Sequence, residues 1–545
     1  MKIALSQLNY HIGNFDANFR AMSEAVLLAK EGGADLICFS ELAVCGYPPR
    51  DFLEFKDFVR QSMDVVQKLC AMSNDLAIVV GAPTVNPELE GKDLFNSAFF
   101  LYEGKVQYIA HKALLPNYDI FDEYRYFEPN REFKTVTFKG KRIAVTICED
   151  IWNLGNSNPM YTICPMDLMM CEKPDFILNL SASPFDFEHA ENRLDVIRAN
   201  VLKYGIPMFY VNGFGAQTDI IFDGGSAVLS PDGKCFDELP FFKSAFQIYN
   251  LEEVQEGKVS REQDKTKIPL IYQALVLGIR AYFHKMGFRK AILGLSGGID
   301  SAITAVLAVE ALGKENVKVL LMPSRYSSQG SVDDAKALAI NLGIEYEIIP
   351  IEPVFQSYRD VLKEHFKDLP EDVTEENMQA RVRGMLLMAF SNKFLYILLN
   401  TTNKSEMAVG YGTLYGDLCG GLAVLADVYK TQVYQLASYI NKEAEIIPRN
   451  TIHKPPSAEL RPNQKDSDSL PEYDLLDQIL YHYIESRKGP REIISMGFDA
   501  TLVYRVLKMV NRSEFKRFQS PPVLRVSSKS FGLGRRLPIE AKYLG

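Results

Sequence analysis

The stretch ILGLSGGIDSA, residues 292–302, decides the reading of the second half of the chain. An apolar run, a Ser-Gly-Gly turn, and then Asp300 and Ser301 opening an alanine-bearing apolar stretch predict a buried strand, a tight turn and a helix. The turn lacks the lysine with which a G-x-x-x-x-G-K-[ST] loop reaches the outer phosphates of a nucleotide. Gly297 and Gly298 instead let the backbone curl, so that successive N–H groups and the helix start face an anion. Such a cradle suits a pyrophosphate that leaves as a unit. Working outward, YQALVLGIRAYFHKMGF (272–288) has helical apolar spacing, and VKVLLMPS (317–324) reads as the next strand. The sum is a βαβ unit of the nucleotide-binding kind, with a doubly wound parallel sheet as the expected architecture.

The first half repeats a different rhythm. KIALSQL, DLICFSE, LAIVVGAP, VQYIAHK, RIAVTICED, FILNLSASP and MFYVNGFGAQ are short apolar strands, each running into a polar or glycine-bearing turn. Helical stretches such as NFRAMSEAVLLAKEGG and ENRLDVIRANVLKYG lie between some of them. The alternation means α/β layering here too. A chain of 545 residues is too long for one hydrophobic core. The seam is placed in NLEEVQEGKVSREQDKTKI (250–268), which is polar, highly charged and without an apolar period. The expected division is residues 1–255, a linker at 256–268, and 269–545.

A composition of 47% apolar and 24% charged residues is that of an ordinary folded protein. The net charge of −9 argues against a general nucleic-acid or membrane-surface partner. From Asn511 to Gly545, however, eight Lys/Arg face two Glu, interleaved with Phe515, Phe518, Leu524, Phe531 and Leu537. That pattern predicts a packed, anion-facing segment. Eight cysteines without CxxC or zinc-like spacing fit a reducing, cytoplasmic setting. The amino terminus has no signal-peptide pattern, and no run of ~20 apolar residues occurs.

The SGGxDS turn resembles the signature of the ATP pyrophosphatases, with an adenine nucleotide alpha hydrolase-like, Rossmann-like fold. These enzymes cleave ATP to AMP and pyrophosphate while adenylating an acid. The resemblance implies ATP contacts at Gly294, Leu295, Ser296, Gly297, Gly298, Ile299, Asp300 and Ser301, and Asp300 as a Mg2+ ligand. ENMQARVRGMLLMAFSN, LLNTTNKSEMAVGYGTLYGD and DVYKTQVYQLA (376–437) resemble the NAD synthetases specifically, in order and spacing. By that resemblance Thr401 and Lys430 meet ATP, and Asn377 and Asp417 line a deamido-NAD+ pocket. Glu406 either joins Asp300 at the metal or meets the dinucleotide. Lys516, in FKRFQSPP, would meet a dinucleotide phosphate. KPPSAELRPNQKDSDSLPEY (454–473), with four prolines and many polar residues, reads as a mobile loop or a disordered linker; the resemblance implies a loop that closes over the adenylate and carries Ser457.

Glu41, Lys112 and Cys148 each follow a predicted strand of the first half, where ligands gather in α/β folds. Cys148 precedes Glu149 and Asp150, whose charges would suppress its thiolate if they faced it. A nucleophile there needs a base, which Glu41 can be, and a cation for the thiolate and oxyanion, which Lys112 can be. SELAVCGYPPRD, KALLPNYDIFDEYRYFEP and CEDIW resemble the nitrilase-type, glutamine-hydrolysing domain of the glutamine-dependent NAD synthetases, an α-β-β-α sandwich. The resemblance implies Glu123 as an auxiliary glutamate and Tyr118 and Ser183 as glutamine contacts; Trp152, the single tryptophan, is either a pocket wall or a core side chain. The family places Lys or Arg six residues beyond Ser183, against the glutamine carboxylate. This chain has His189 there, with Arg193 as a possible substitute.

Together the halves imply an amidotransferase of the last step of NAD biosynthesis. Glutamine yields glutamate and ammonia; deamido-NAD+ is adenylated with ATP and then amidated to NAD+, leaving AMP and diphosphate. Ammonia is expected to pass between the domains away from water, and a homo-oligomer is expected. The alternatives are an ATP pyrophosphatase with another acid acceptor, GMP-synthetase-like or asparagine-forming, and a nucleotide sensor without catalysis.

Overall fold

The strands of the first half are apolar on both faces because both faces are covered. In β1 (Lys2–Gln7) Ile3 and Leu5 point to one side and Ala4 to the other. In β2 (Leu36–Cys38) Leu36 and Cys38 likewise oppose Ile37, the period-two alternation of a pleated strand. The computed structural model describes residues 1–156, 160–257, 260–367 and 369–544. Lys258 and Val259, inside the expected linker, lie outside them. The described chain divides into two units, Met1–Lys265 and Thr266–Gly545.

In the first unit β3 (Ala77–Val85), β4 (Leu94–Tyr102) and β5 (Lys105–His111) follow β1 and β2 in one sheet. The second sheet holds β6 (Val136–Phe138), β7 (Lys141–Ile147), β8 (Phe176–Ser181) and β9 (Met208–Asn212). A hairpin of β10 (Phe214–Gln217) and β11 (Ile220–Asp223) comes next. It leads to β12 (Ala227–Leu229) and β13 (Cys235–Glu238), then β14 (Ala245–Asn250). The sheet orders are β14-β1-β2-β3-β4-β5 and β13-β12-β9-β8-β7-β6. Each is parallel at its centre and antiparallel toward its edges. Ile3, Leu5 and Val79 of one sheet share a core with Val145, Leu178 and Phe209 of the other. Helices Phe15–Glu31 and Lys56–Ala71 cover the outside of the first sheet, and His189–Tyr204 that of the second. The result is the expected α-β-β-α sandwich. Strand β4 and helix Lys56–Ala71 are additions to the sequence reading.

The seam differs from its reading as featureless polar chain. Leu251–Glu256 is a short helix with Leu251 and Val254 fully buried; six residues are too few to show a period. Farther on, Gln263 and Lys265 bond to Glu238 of β13. Helix Lys267–Met286 then opens the second unit.

The second unit has a five-stranded, all-parallel sheet: β15 (Lys290–Gly294), β16 (Val317–Leu321), β17 (Glu345–Ile348), β18 (Tyr396–Asn400) and β19 (Leu422–Ala423). Its order is β17-β16-β15-β18-β19. Connections from β15 therefore run in opposite directions on its two sides. The crevice beyond the carboxyl ends of β15 and β18 is the switch point at which such sheets bind ligands. No helix among the described residues is long and apolar enough to cross a membrane, and all eight cysteines are free thiols.

Candidate active sites

In the first unit the strands deliver their residues to one place. Glu41 lies just beyond β2, Lys112 follows β5, Cys148 follows β7 and Ser183 lies just past β8, all at carboxyl ends. Cys148 opens the turn Cys148–Ile151 at φ +44, a conformation L side chains seldom adopt. Strained backbone of this kind gathers at functional sites. Lys112 is fully buried and donates to Glu41 Oε1 at 2.7 Å and to Glu123 Oε1 at 2.8 Å. Glu41 also accepts from Asn96 Nδ2 at 2.7 Å and from the Ala182 amide at 3.0 Å. Glu123 accepts from the Tyr47 hydroxyl at 2.8 Å.

Burial alone would discharge Lys112, but Glu123 and Glu41 outweigh it and hold the ammonium above the usual lysine range. Burial, then Glu41, pushes the Cys148 thiol well up, with Lys112 opposing. The resting sulfur is a thiol that needs a base at the moment of attack. Of its two acidic neighbours in sequence, Glu149 contributes to this rise and is engaged by the hydroxyls of Tyr118 (3.0 Å) and Tyr161 (2.8 Å). Asp150 is turned away, accepting from the amides of Ala113 and Leu114 at 2.9 Å and of Ile147 at 3.0 Å.

Two carboxylates sharing one ammonium leave a surplus negative charge, and Glu123 is raised to about 7 by burial, with Lys112 opposing. Asp150 is raised by burial to about 6 against its three amide donors. The folded chain therefore keeps protons that the unfolded chain has lost, from the usual carboxylate range up to about pH 7. Stability conferred by these groups falls as pH rises through that window. A thermal melt series from about pH 5 to 7.5 should show the midpoint falling, and Glu123→Gln should flatten the upper part. A midpoint that climbs over this window contradicts the assignment.

Ser183 Oγ lies 2.8 Å from His189 Nε2, and the imidazole stacks on Trp152 with centroids 5.2 Å apart. Arg193 is not available as the substitute. Both of its terminal nitrogens bond to Asp223, at 2.9 and 2.8 Å, and the pair is 2% and 1% exposed. Of the two candidates for the glutamine carboxylate, only His189 is placed beside Ser183. Asn96, Tyr47 and Tyr161 were not singled out in the sequence. Asn96 reads there as one polar position in a strand, and Tyr47 sits inside the quoted SELAVCGYPPRD without a distinguishing mark.

In the second unit a cavity of about 540 Å3 opens at the carboxyl ends of β15 and β18. Its wall includes Gly294, Leu295, Ser296, Gly298, Ile299, Asp300 and Ser301, as well as Thr401, Glu406 and Lys430. Asn377, Asp417, Ser457 and Lys516 line the same space. Gly297 backs it at φ +82, and a Cβ there would sit 2.2 Å from the Ser331 carbonyl oxygen. Gly297→Ala should therefore reduce ammonium-driven release of diphosphate by about 100-fold or more, since the left-handed backbone and the clash each cost about 1–2 kcal/mol. Unchanged turnover would mean the cradle tolerates a wider path.

Gly298 is the N-cap of helix Ile299–Leu312, whose start lies on the cavity wall, a position at which helix N–H groups favour negative charge. Asp300 accepts from Asn403 Nδ2 at 2.9 Å and from Lys430 Nζ, and Lys430 lies 3.5 Å from Glu406. Asn403 was missed within the quoted NTTNKSE, where it also caps helix Lys404–Val409. Burial and then Asp300 push Glu406 up to about 8, with Lys430 opposing. Among the described residues no group of three or more His, Cys, Asp or Glu is arranged to hold a metal ion. Two carboxylates with surplus charge beside a phosphate cradle nevertheless fit Mg2+, which takes one or two carboxylates and completes its shell with phosphate and water. Asn377 and Asp417 are joined through Thr413, at 2.8 Å to each.

Within residues 454–473, mostly without regular structure, Asp466–Asp468 form a helical turn, and Asp466 accepts from Tyr473 at 2.9 Å and Tyr411 at 3.3 Å. One expectation for this unit changes. The basic carboxyl-terminal segment is packed but mostly not anion-facing. Arg517 bonds to the Ala408 carbonyl and Glu514, and Arg535 to Glu514. Only Lys516 of that run lines the cavity, donating to the Gly410 and Gly412 carbonyls at 2.8 Å.

Comparisons with known proteins bear on both units. Residues 2–256 match the carbon-nitrogen hydrolase family and residues 271–520 the NAD synthase family. The chain is 45% identical over 548 residues to the glutamine-dependent NAD(+) synthetase of Synechocystis sp., covering 98% of each. It is 40% identical over 580 residues to that of Thermotoga maritima, covering 100% of this chain and 99% of that one. The solved glutamine-dependent NAD+ synthetase of Acinetobacter baumannii, in complex with adenosine diphosphate, superimposes with a TM-score of 0.78 at 38% identity. It covers 99% of this chain and 98% of that one. With two family models spanning the two units and full-length relatives above 30% identity, the chain belongs to the glutamine-dependent NAD(+) synthetases.

Proposed function

We propose that this chain converts deamido-NAD+ to NAD+ with ATP and glutamine, and that the residues gathered above divide the work as follows. Cys148 attacks the side-chain carboxamide carbon of glutamine while Glu41 takes the thiol proton. Lys112 faces the oxygen on which negative charge develops, and Glu123 and Asn96 hold Lys112 and Glu41 in place. Ammonia leaves, and water releases glutamate from the thioester. Tyr118, Ser183 and His189 bind the rest of glutamine. His189 meets its carboxylate through a ring N–H in place of the Lys or Arg that the family places there.

In the second unit the turn from Ser296 to Ser301 cradles the ATP phosphates, with Thr401 and Lys430 beside them. The carboxylate of deamido-NAD+ attacks the α-phosphate, and diphosphate departs into the amide-lined cradle. Ammonia then attacks the acyl carbon and AMP leaves. Asp300 and Glu406 hold Mg2+, which when bound neutralises charge on the phosphate oxygens. Asn377, Asp417 and Lys516 position the dinucleotide. Delivery of ammonia away from bulk water, assembly as a homo-oligomer and a cytoplasmic location belong to the same proposal.

The observation that supports this reading most directly is the shared cavity. The lysine-free glycine turn and the Asn377–Asp417–Lys516 group line one space of about 540 Å3, of a size that suits small-molecule ligands. The test supplies ATP, glutamine and deamido-NAD+ and follows four products. NAD+, AMP, diphosphate and glutamate should appear together. Equal turnover when another carboxylic acid replaces deamido-NAD+ would sink the substrate assignment.

A further inference from the structure

Residues 454–473 run along the nucleotide cavity and are fastened on two flanks. On one, Gln379 donates to the Leu460 carbonyl at 2.9 Å and Gln464 to Glu376 at 3.3 Å. On the other, Glu459 reaches the start of helix Gln329–Leu342. Its Oε1 accepts from the hydroxyls of Ser328 and Ser331, each at 2.8 Å, and its Oε2 from the Ser328 amide at 3.3 Å. Ser328 is the N-cap of that helix, so the carboxylate sits where the helix dipole favours negative charge. Lys454, from the same segment, donates to the Ser331 hydroxyl at 3.0 Å and pairs with Asp334 at 3.1 Å.

Three features make this more than a surface contact. Glu459 holds φ +48, a conformation unfavourable for a residue with a side chain, so the contacts must offset local strain. Ser457, Ala458, Glu459 and Leu460 line the cavity together with the glycine turn. Ser331 is also the residue whose carbonyl stands against Gly297. The glutamate thus grips the wall of the phosphate cradle itself.

We propose that Glu459 is a positioning residue for amidation: docked on Ser328 and Ser331, it latches residues 454–473 over the acyl adenylate and keeps water from it. The inference rests on the function proposed above. Without the latch, water's oxygen bonds to the acyl carbon and the bond to the AMP oxygen breaks. AMP leaves with the electron pair, protons pass to solvent, and deamido-NAD+ is regenerated. ATP is then spent without NAD+.

Full-length E459Q and S331A are supplied with ATP, deamido-NAD+ and ammonium, and AMP and NAD+ are counted separately. The parent protein forms one AMP per NAD+; if it formed no NAD+, the functional reading and this one would fall together. In each variant hydrolysis of the adenylate speeds up about tenfold, the scale of a charge-assisted hydrogen bond weakened by about 1.4 kcal/mol, and AMP is formed in measurable excess over NAD+. That excess grows as ammonium is lowered. The double variant adds nothing further, because both changes remove one contact. An AMP-to-NAD+ ratio that stays at one in E459Q at every ammonium concentration overturns the latch alone, even if the rate falls.

Discussion

Replacing Cys148 with alanine should abolish NAD+ formation from glutamine and leave formation from ammonium standing. The sulfur is the nucleophile proposed for the first unit, and it stands beside the Glu41–Lys112 pair; the buried thiol of Cys235 meets Glu238 and Lys265 instead. Cys38 and Cys45 are also buried, but burial alone raises their thiols, and no ammonium stands beside them to favour the anion. Cys148 has Lys112 and Glu41 acting on it together. Losing such a group lowers the rate on the order of 10^4-fold or more, since the remaining hydrogen bonds cannot form the covalent intermediate. The cavity of the second unit is lined only by residues from Gly294 onward, so its chemistry needs nothing from Cys148 once ammonium is supplied. Glutamate release and NAD+ formation are measured side by side with each nitrogen donor. Loss of both would mean that the half-reactions are wrongly divided; survival of both would remove Cys148 from the mechanism.

Lys112→Met should have the largest effect on stability. The side chain is wholly buried between Glu41, also fully buried, and Glu123, 6% exposed. Methionine fills similar space but leaves two carboxylates without their cation, and breaking a buried pair in this way costs about 3–5 kcal/mol. One of the two must then take a proton, and the base needed by Cys148 is compromised. Glutamine hydrolysis should fall on the order of 10^3-fold. Adding Glu123→Gln to Lys112→Met takes away one of the two unpaired carboxylates and should restore roughly half of the lost stability, with no return of activity. Denaturant midpoints of the first unit and glutamate release check the two parts separately. A loss below about 1 kcal/mol for Lys112→Met would show that the triad is open to solvent.

The nucleotide half was more legible in the sequence than the glutaminase half, and the reason is local. A glycine turn between a strand and a helix is built from neighbours, so Ser296 to Ser301 could be read as a site without knowing what lies opposite. The triad is built from strand ends 71 residues apart for Glu41 and Lys112. Their places after predicted strands suggested that they could converge, and the resemblance named them as one site, but neither could give the pairing among them. Near the seam the short helix Leu251–Glu256 went unread because it carries too few apolar residues to show a period.

Residue order alone determined the two α/β halves, the cradle and the candidate residues, since alternation, turn chemistry and motif spacing are properties of adjacent positions. Tertiary structure decided how charge is distributed among them. It buried Arg193 against Asp223, turned Asp150 onto three backbone amides, set one ammonium between two carboxylates, and docked Glu459 on a helix 128 residues away. Solvent exclusion and long-range pairing arise only when distant segments pack. Pairing then decides which of several plausible charges remain free to act on a substrate.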